Sequence, residues 1–289
     1  MFVYFADTDC DFTPTDAKKY GFELISMPYN IDGKSILPYV DFKEFNSKEF
    51  YDTLRKGVLP TTSALSRDNY LELFEPIFQR GDDIFYVHFS AAMTMTFDAM
   101  HDALDILKEK YPNRKFYEID AKGITTLGYI VAREVGELKL QGKTPEEILE
   151  WGKNEVNKFA MYFFADDLKF FKHSGRVSGL TAIMGGLVGI RPIIYMDNEG
   201  KMTSIGKEIG REKAINHLVN KVVELGDDLK NHTIFVGHTD CIDIANTIVA
   251  RLKEKLGDDQ KIEIVIVNPT AGSHCGPNGV GIAFHAIHR

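Results

Sequence analysis

Residues 83–110 read DIFYVHFSAAMTMTFDAMHDALDILKEK, and the change of period inside them decides the fold. Asp83–Phe89 is a short run rich in apolar and aromatic residues, the composition of a buried strand. From Thr94 to Lys110 the apolar residues recur at helical spacing, with Met100, Leu104 and Leu107 at i, i+4 and i+7. Between the two lies a polar turn that begins at Ser90. The same succession continues on either side. Strands are expected at Met1–Ala6, Phe22–Tyr29 and Arg114–Ile119, with helices at Asn46–Arg55 and Ser66–Arg80. Short strands alternating with amphipathic helices predict an α/β fold whose mainly parallel sheet carries helices on both faces.

Further along, Ile124–Asp166 reads as two helices. Gly142 closes the first and Thr144-Pro-Glu-Glu147 opens the second. Thr144 is placed to cap, Pro145 suits the first helical position, and Glu147 completes a capping box. After residue 167 the texture changes. Arg191–Asp197 and Met202–Glu208 read as a hairpin about Asp197-Asn-Glu-Gly200, followed by a helix over Arg211–Leu229. Strands at Thr233–Val236, Lys261–Val267 and Val280–His285, with a helix over Asp240–Lys255, complete the chain. This predicts a second α/β domain with a mixed or antiparallel sheet, the domains being 1–166 and 167–289.

The formal net charge is −8, from 42 acids and 34 bases, which argues against a general nucleic-acid binder. No run approaches eighteen apolar residues, so no transmembrane helix is expected. Met1–Ala6, followed at once by Asp-Thr-Asp, has no basic leader segment and reads as a first strand. Three cysteines, at 10, 241 and 275, make no disulfide framework, and a cytoplasmic location is expected.

Four polar or glycine-rich segments fall where strands should end, the place where α/β sheets gather ligands. In Pro60–Ser66, Ser66 reads as a helix cap, while Thr61, Thr62 and Ser63 offer hydroxyls to an anionic head group. In His88–Thr94, Ser90 stands at a strand-to-helix turn that Thr94 is placed to cap. Its flanks, His88 and Ala92, lack the G-x-S-x-G pattern of a strained nucleophile elbow. Ser174–Ser178 contains Arg176. In Gly272–Gly279, glycines surround His274 and Cys275 in what reads as a loop feeding the last strand. The G-x-x-x-x-G-K-[ST] phosphate loop is absent. His238, Asp240 and Cys241 lack metal-ligand spacing, as do His274 and Cys275, so no metal and no cofactor is expected. Arg176, Arg191 and Arg211 could each pair a carboxylate or phosphate, although solvation is the ordinary fate of a single arginine.

Taken in order, these segments resemble the DegV family of bacterial fatty-acid-binding proteins over essentially the whole chain. Phe5-Ala-Asp-Thr-Asp-Cys-Asp11 resembles the family's D-S-x-x-D, Pro60–Ser66 its T-S-Q-P-S, and His88–Phe97 its S-S-x-L-S-G-T-Y. Gly175-Arg-Val-Ser178 resembles G-R-I-S, and Gly189-Ile-Arg-Pro-Ile-Ile194 resembles N-I-K-P-I-L. His238-Thr-Asp240 resembles H-A-D, and Gly272-Ser-His-Cys-Gly-Pro277 resembles G-x-H-x-G-P. Each motif is short; seven in one order are specific.

The resemblance implies a two-domain fold that buries one long-chain fatty acid in a tunnel between the domains. It implies a carrier without catalytic turnover, which presents the lipid carboxyl to a separate ATP-dependent fatty acid kinase for acyl-phosphate formation. It leaves room for transient membrane contact and involves no nucleic acid. Carried over by position, the carboxyl-binding set is Thr62, Ser90, His274, Arg176 and Arg211, with Ser63, Thr94, Gly272 and Gly276 supporting the surrounding loops. Thr62, Ser90 and His274 are expected to hold the carboxyl, and Arg176 and Arg211 to tune its charge or meet the kinase. The chain departs from the family at Ala64-Leu65 and at Thr94-Met95-Thr96, where Met95 replaces a glycine near the head group. Two other readings are a carrier or sensor of another amphiphile without a kinase, and an enzyme acting on acyl or phosphoryl groups.

Overall fold

The computed structural model describes residues 1–176 and 189–289. Val177 and Ser178, expected to complete the segment at Gly175, lie outside the described residues.

The first sheet is parallel throughout. It is built from β1 (Phe2–Asp7), β2 (Phe22–Ile25), β6 (Asp83–His88) and β7 (Phe116–Asp120), in the order β2-β1-β6-β7. Helices cover both of its faces, and the two-residue period of β1 shows how. Phe5 packs edge-on against Phe74 of α3 (Arg67–Gln79), with ring centroids 5.7 Å apart. Its neighbour Tyr4 turns the other way and lies beneath Lys139 of α5 (Thr126–Leu140). Helix α1 (Pro14–Tyr20) joins α5 on that side, while α4 (Thr96–Lys110) packs beside α3.

Between β2 and β6 the chain makes an excursion. The three-stranded antiparallel sheet of β3 (Tyr29–Ile31), β4 (Lys34–Ile36) and β5 (Thr61–Thr62) is joined there by α2 (Ser47–Arg55). The sequence predicts one strand across Phe22–Tyr29. The structure breaks it after Ile25, ahead of Pro28, which has no amide hydrogen to give a ladder.

The second sheet is mixed. Its six strands run β10-β9-β8-β13-β11-β12: β8 (Phe159–Phe164), β9 (Ile190–Met196), β10 (Met202–Ile209), β11 (Ile234–His238), β12 (Ile262–Ile266) and β13 (Val280–His285). Only the β11–β12 pair is parallel. The expected hairpin of β9 and β10 is present, its turn held by Asp197 accepting from the amides of Glu199 and Lys201. Helices α8 (Arg211–Leu225) and α9 (Ile242–Leu256) cover one face of this sheet.

Strand β8 corrects the reading of Ile124–Asp166 as helix alone. Helices α5 and α6 (Pro145–Glu155) occupy most of it, and the Thr144–Glu147 capping box forms as expected. Phe159–Phe164, however, is a strand with every residue buried. Its alternate residues serve two cores. Phe159, Met161 and Phe163 face the core shared with α5 and the first sheet, and Ala160, Tyr162 and Phe164 face α8 and α9. A six-residue apolar run buried on both faces shows no polar period by which to tell strand from helix.

The second correction concerns Gly272–Cys275, expected in a loop. These residues lie in a short helix, α10 (Pro269–Cys275), with Pro269 at its first position. Asn268 caps it by accepting from the Ala271 amide at 2.9 Å. No helix among the described residues is long and apolar enough to cross a membrane.

Candidate functional site

The carboxyl end of β1 runs into a tight turn, Thr8–Cys10, that carries three buried carboxyl groups, Asp7, Asp9 and Asp11. Each meets a different fate. Asp7 accepts from the amides of Cys10 and Phe89, both at 3.0 Å, and from the Tyr86 hydroxyl at 3.1 Å. Asp11 Oδ1 accepts from the Asn268 amide at 2.8 Å and from its side-chain Nδ2 at 2.7 Å. That pair fastens the N-terminus of α10 to the first sheet. Asp9 makes no side-chain hydrogen bond among the described residues, and its Oδ1 is buried without a partner.

Other ties position α10. Thr270 Oγ1 donates to the Met27 carbonyl at 2.8 Å, and the hydroxyl of Tyr51, on α2, donates to the Val267 carbonyl at 2.9 Å. A β-carbon at Gly272 would overlap that tyrosine hydroxyl, so the close approach of α2 requires glycine. At the C-terminal end Gly276 has φ +69°, and a β-carbon there would overlap the Phe170 ring of α7 (Lys169–His173). Gly272 and Gly276 thus permit the close packing of α10 against Tyr51 and Phe170.

These elements enclose a cavity of about 240 Å³. Its polar end is made by Asp9, Thr62, Ser63, Thr94, Arg176 and His274. Met27, Phe89, Ile124, Phe171, Met202 and Ala271 supply apolar wall. Ile124 and Cys275 also border a smaller pocket of about 30 Å³, which continues between the N-terminus of α5 and the second sheet along Met161, Phe163 and Val280. On the other side Met93, Thr94, Met95, Arg176 and Met202 line an open depression with Lys201. The cavity is therefore bordered by an open depression that shares Thr94 and Arg176 with it, and by a small, mostly apolar pocket against the second sheet.

Within the polar cluster, Thr62 Oγ1 and His274 Nε2 share a hydrogen bond of 3.0 Å, while His274 Nδ1 is buried without a partner. Burial, reinforced by the positive charge of Arg176, pushes His274 down to about 3, so the ring is neutral at physiological pH. Arg176 donates to the Ser174 carbonyl at 2.9 Å. Burial pushes Asp9 well above the usual carboxylate range, helped by the charges of Asp7 and Asp11, with Arg176 opposing. Burial also raises the Cys275 thiol to about 12, leaving no thiolate nucleophile near neutrality.

The expected residues divide. Thr62, Ser63, Thr94, Arg176 and His274 come together at the cavity. Thr94 does so without capping α4; its hydroxyl accepts from the Thr96 amide at 3.1 Å. Ser90 lies outside the lining: it is fully buried, and its hydroxyl donates to the Gly200 carbonyl at 2.7 Å. Arg211 is likewise elsewhere, paired with Asp166, which also accepts from Arg191 Nε at 2.7 Å. The His238–Asp240 segment is structural. Asp240 pairs with Arg55 of α2 at 2.6 Å, and Thr239 receives the Gly279 amide at 2.6 Å. Sequence reasoning passed over Asp9, Met27 and Phe171 as lining residues. Asp9 left a signal in the run of three acids at the carboxyl end of the first strand. Met27 and Phe171 left none, since nothing local marks an apolar residue as wall rather than core. Among the described residues no three His, Cys, Asp or Glu side chains are grouped to share a metal ion.

A family model described as "Uncharacterised protein, DegV family" matches residues 2–286. A DegV domain-containing protein of Clostridium perfringens is 29% identical over 283 residues, covering 98% of this chain and 97% of that protein. The crystal structure of a DegV-family protein from Ruminococcus gnavus, described with vaccenic acid, superposes with a TM-score of 0.85. It is 19% identical and covers 98% of this chain and 99% of its own. A stearic-acid-binding protein from Eubacterium ventriosum superposes with a TM-score of 0.83 at 18% identity, covering 99% of each chain.

Proposed function

The chain belongs to the DegV family, and from that premise we propose that it is a carrier that holds one long-chain fatty acid, carboxyl at the polar cluster and acyl chain along the apolar end. The observation that carries this reading is the mixed lining: Thr62, Ser63, Thr94, Arg176 and His274 share one cavity with apolar wall, and the small pocket that shares Ile124 and Cys275 with it is largely apolar. A carboxylate taken from water needs hydrogen bonds and counter-charge, which Thr62, Ser63, His274 and Arg176 can supply. Burying a sixteen-carbon chain at roughly 0.8 kcal/mol per methylene contributes about 12 kcal/mol gross. Ordering the chain and losing its freedom take back several of these. The names of the Ruminococcus gnavus and Eubacterium ventriosum proteins, which carry vaccenic and stearic acid, agree with this ligand class.

The carrier has no turnover of its own. Two features support that: the Ser90 hydroxyl is committed to a carbonyl, and the Cys275 thiol is held protonated. The loaded carrier presents its carboxyl to a separate ATP-dependent kinase, which forms the acyl phosphate in the cytoplasm. The open depression beside Thr94, Arg176 and Lys201 suits such access. A division into two domains with the ligand between them is part of the same proposal, its boundary lying before β8, which belongs to the second sheet.

Native mass spectrometry of the purified chain, followed by solvent extraction, tests the reading. A stoichiometric fatty acid supports it and gives the chain length. An empty protein that also refuses added palmitic acid overturns it. Acyl-phosphate formation on adding a fatty acid kinase and ATP to the loaded protein tests the presentation step.

A further inference from the structure

The polar end of the cavity contains one group too many for a simple anion site. A carboxylate held by Thr62, His274 and Arg176 would meet Asp9, which lines the same space. Asp9 is 8% exposed, its Oδ1 has no partner among the described residues, and nothing in the turn satisfies its side chain. Its neighbours Asp7 and Asp11 are bonded to backbone amides, and its own backbone carbonyl accepts from the Thr125 amide at 2.7 Å. The side chain is thus the one acid of the three without a structural task.

Resting on the carrier reading, we propose that Asp9 is a head-group residue, acting as a carboxylic acid that donates its O–H to the ligand carboxylate, so that protein and lipid share one proton. Two carboxyl groups within hydrogen-bond reach cannot both ionise in a buried site, so bringing them together retains a proton. The groups facing Asp9 allow this. On its own turn stand Asp7, Cys10 and Asp11; from α10 come His274 and Cys275; after α7 comes Arg176. Arg176 is the cation among them, and it balances one negative charge. With Asp9 protonated, that charge is the ligand's. With Asp9 ionised, two carboxylates compete for one guanidinium. The proton arrives with the fatty acid or from solvent and leaves with the ligand, and no covalent bond changes. Lipid loading therefore takes up a proton under conditions in which Asp9 and the free fatty acid are both ionised, and rising pH favours release.

The test is a fluorescence titration of the full chain with cis-parinaric acid between pH 5.5 and 9, comparing wild type with Asp9→Asn and Asp9→Ala. The Asn amide donates at every pH. The affinity ratio of Asn variant to wild type cancels the ionisation of the ligand itself, and it should rise with pH, towards tenfold per unit where free Asp9 is ionised. The Ala variant should bind at least several-fold more weakly than wild type at pH 6. Parallel pH profiles for wild type and the Asn variant, or an Ala variant that binds like wild type, overturn the role of Asp9. Calorimetry of wild type with palmitic acid, in two buffers of different ionisation enthalpy at pH 8.5, needs no variant. Uptake of a proton beyond that accounted for by the lipid supports the proposal, and release of a proton on loading overturns it. A wild type that binds neither lipid sinks the carrier reading and this inference together.

Discussion

Two polar regions converge on the carboxyl ends of the first sheet, and they differ in how fully their hydrogen bonds are made. At the end of β6, Ser90 is buried with its hydroxyl given to Gly200, 110 residues away. Where the β1 turn meets α10, Asp9 and His274 each keep a buried polar atom without a partner among the described residues. Unpaired buried polar groups destabilise a fold, so natural proteins seldom keep them without a reason. The contrast teaches that a polar residue near a cavity is no guide to binding by itself. Its unspent hydrogen-bonding capacity is what a ligand can use.

The largest effect expected to sharpen this contrast is on stability against pH. Burial raises Asp11 to about 7 and Asp9 well above its ordinary value. Both carboxyls then keep their protons in the folded chain at pH values where the unfolded chain, titrating near 4, has lost them. The folded state binds more protons, so these groups lower stability as pH rises from about 4 through their folded values. Asp9→Asn removes one such group. Its urea-derived stability should gain on wild type by up to about 1.4 kcal/mol for each pH unit across that window. Parallel stability curves would contradict the unpaired state of Asp9.

Next in size is the support of α10. Gly276→Ala adds a β-carbon against Phe170 at a positive φ and should destabilise the chain by about 3 kcal/mol, read from the shift in urea midpoint. Substitution of His274 by Ala should instead reduce parinaric-acid affinity by about tenfold to a hundredfold, the loss of one or two hydrogen bonds to a charged group. Its folding free energy should move by less than that of Gly276→Ala. Ser90→Ala reverses the pattern with the smallest effect: about 1 kcal/mol of stability lost with the Gly200 hydrogen bond, and ligand affinity unchanged. If Ser90→Ala weakened binding while His274→Ala did not, the two regions would have to exchange roles.

Much of this fold was legible in the chain. Hairpin β9–β10 and the Thr144 capping box follow from signals spanning four to ten residues, and both formed as expected. Ser66 likewise caps α3, paired with Asn69. Misreadings came where local signals fall silent. Phe159–Phe164 has no polar residue to reveal its period, and Gly272–Cys275 carries glycines that suggest a loop. Asn268 and Pro269 were the helix signal there, outweighed in the reading by the glycines that follow. Of the candidate site, Thr62, Arg176 and His274 were reachable through motif order, whereas the run Asp7, Asp9 and Asp11 marks an acidic turn without showing which of the three faces the cavity.

The sequence by itself determined the succession of strands and helices, the caps that begin several of them, and membership of a family through seven ordered motifs. These depend on backbone preferences and periodicities that act within a few residues. Only the tertiary structure decided which polar side chains remain free to meet a ligand. That depends on partners brought from far along the chain: Gly200 to Ser90, Asn268 to Asp11, Asp166 to Arg211, and none to Asp9 among the described residues. Hydrogen-bond saturation belongs to the folded neighbourhood, and no local reading of residue types contains it.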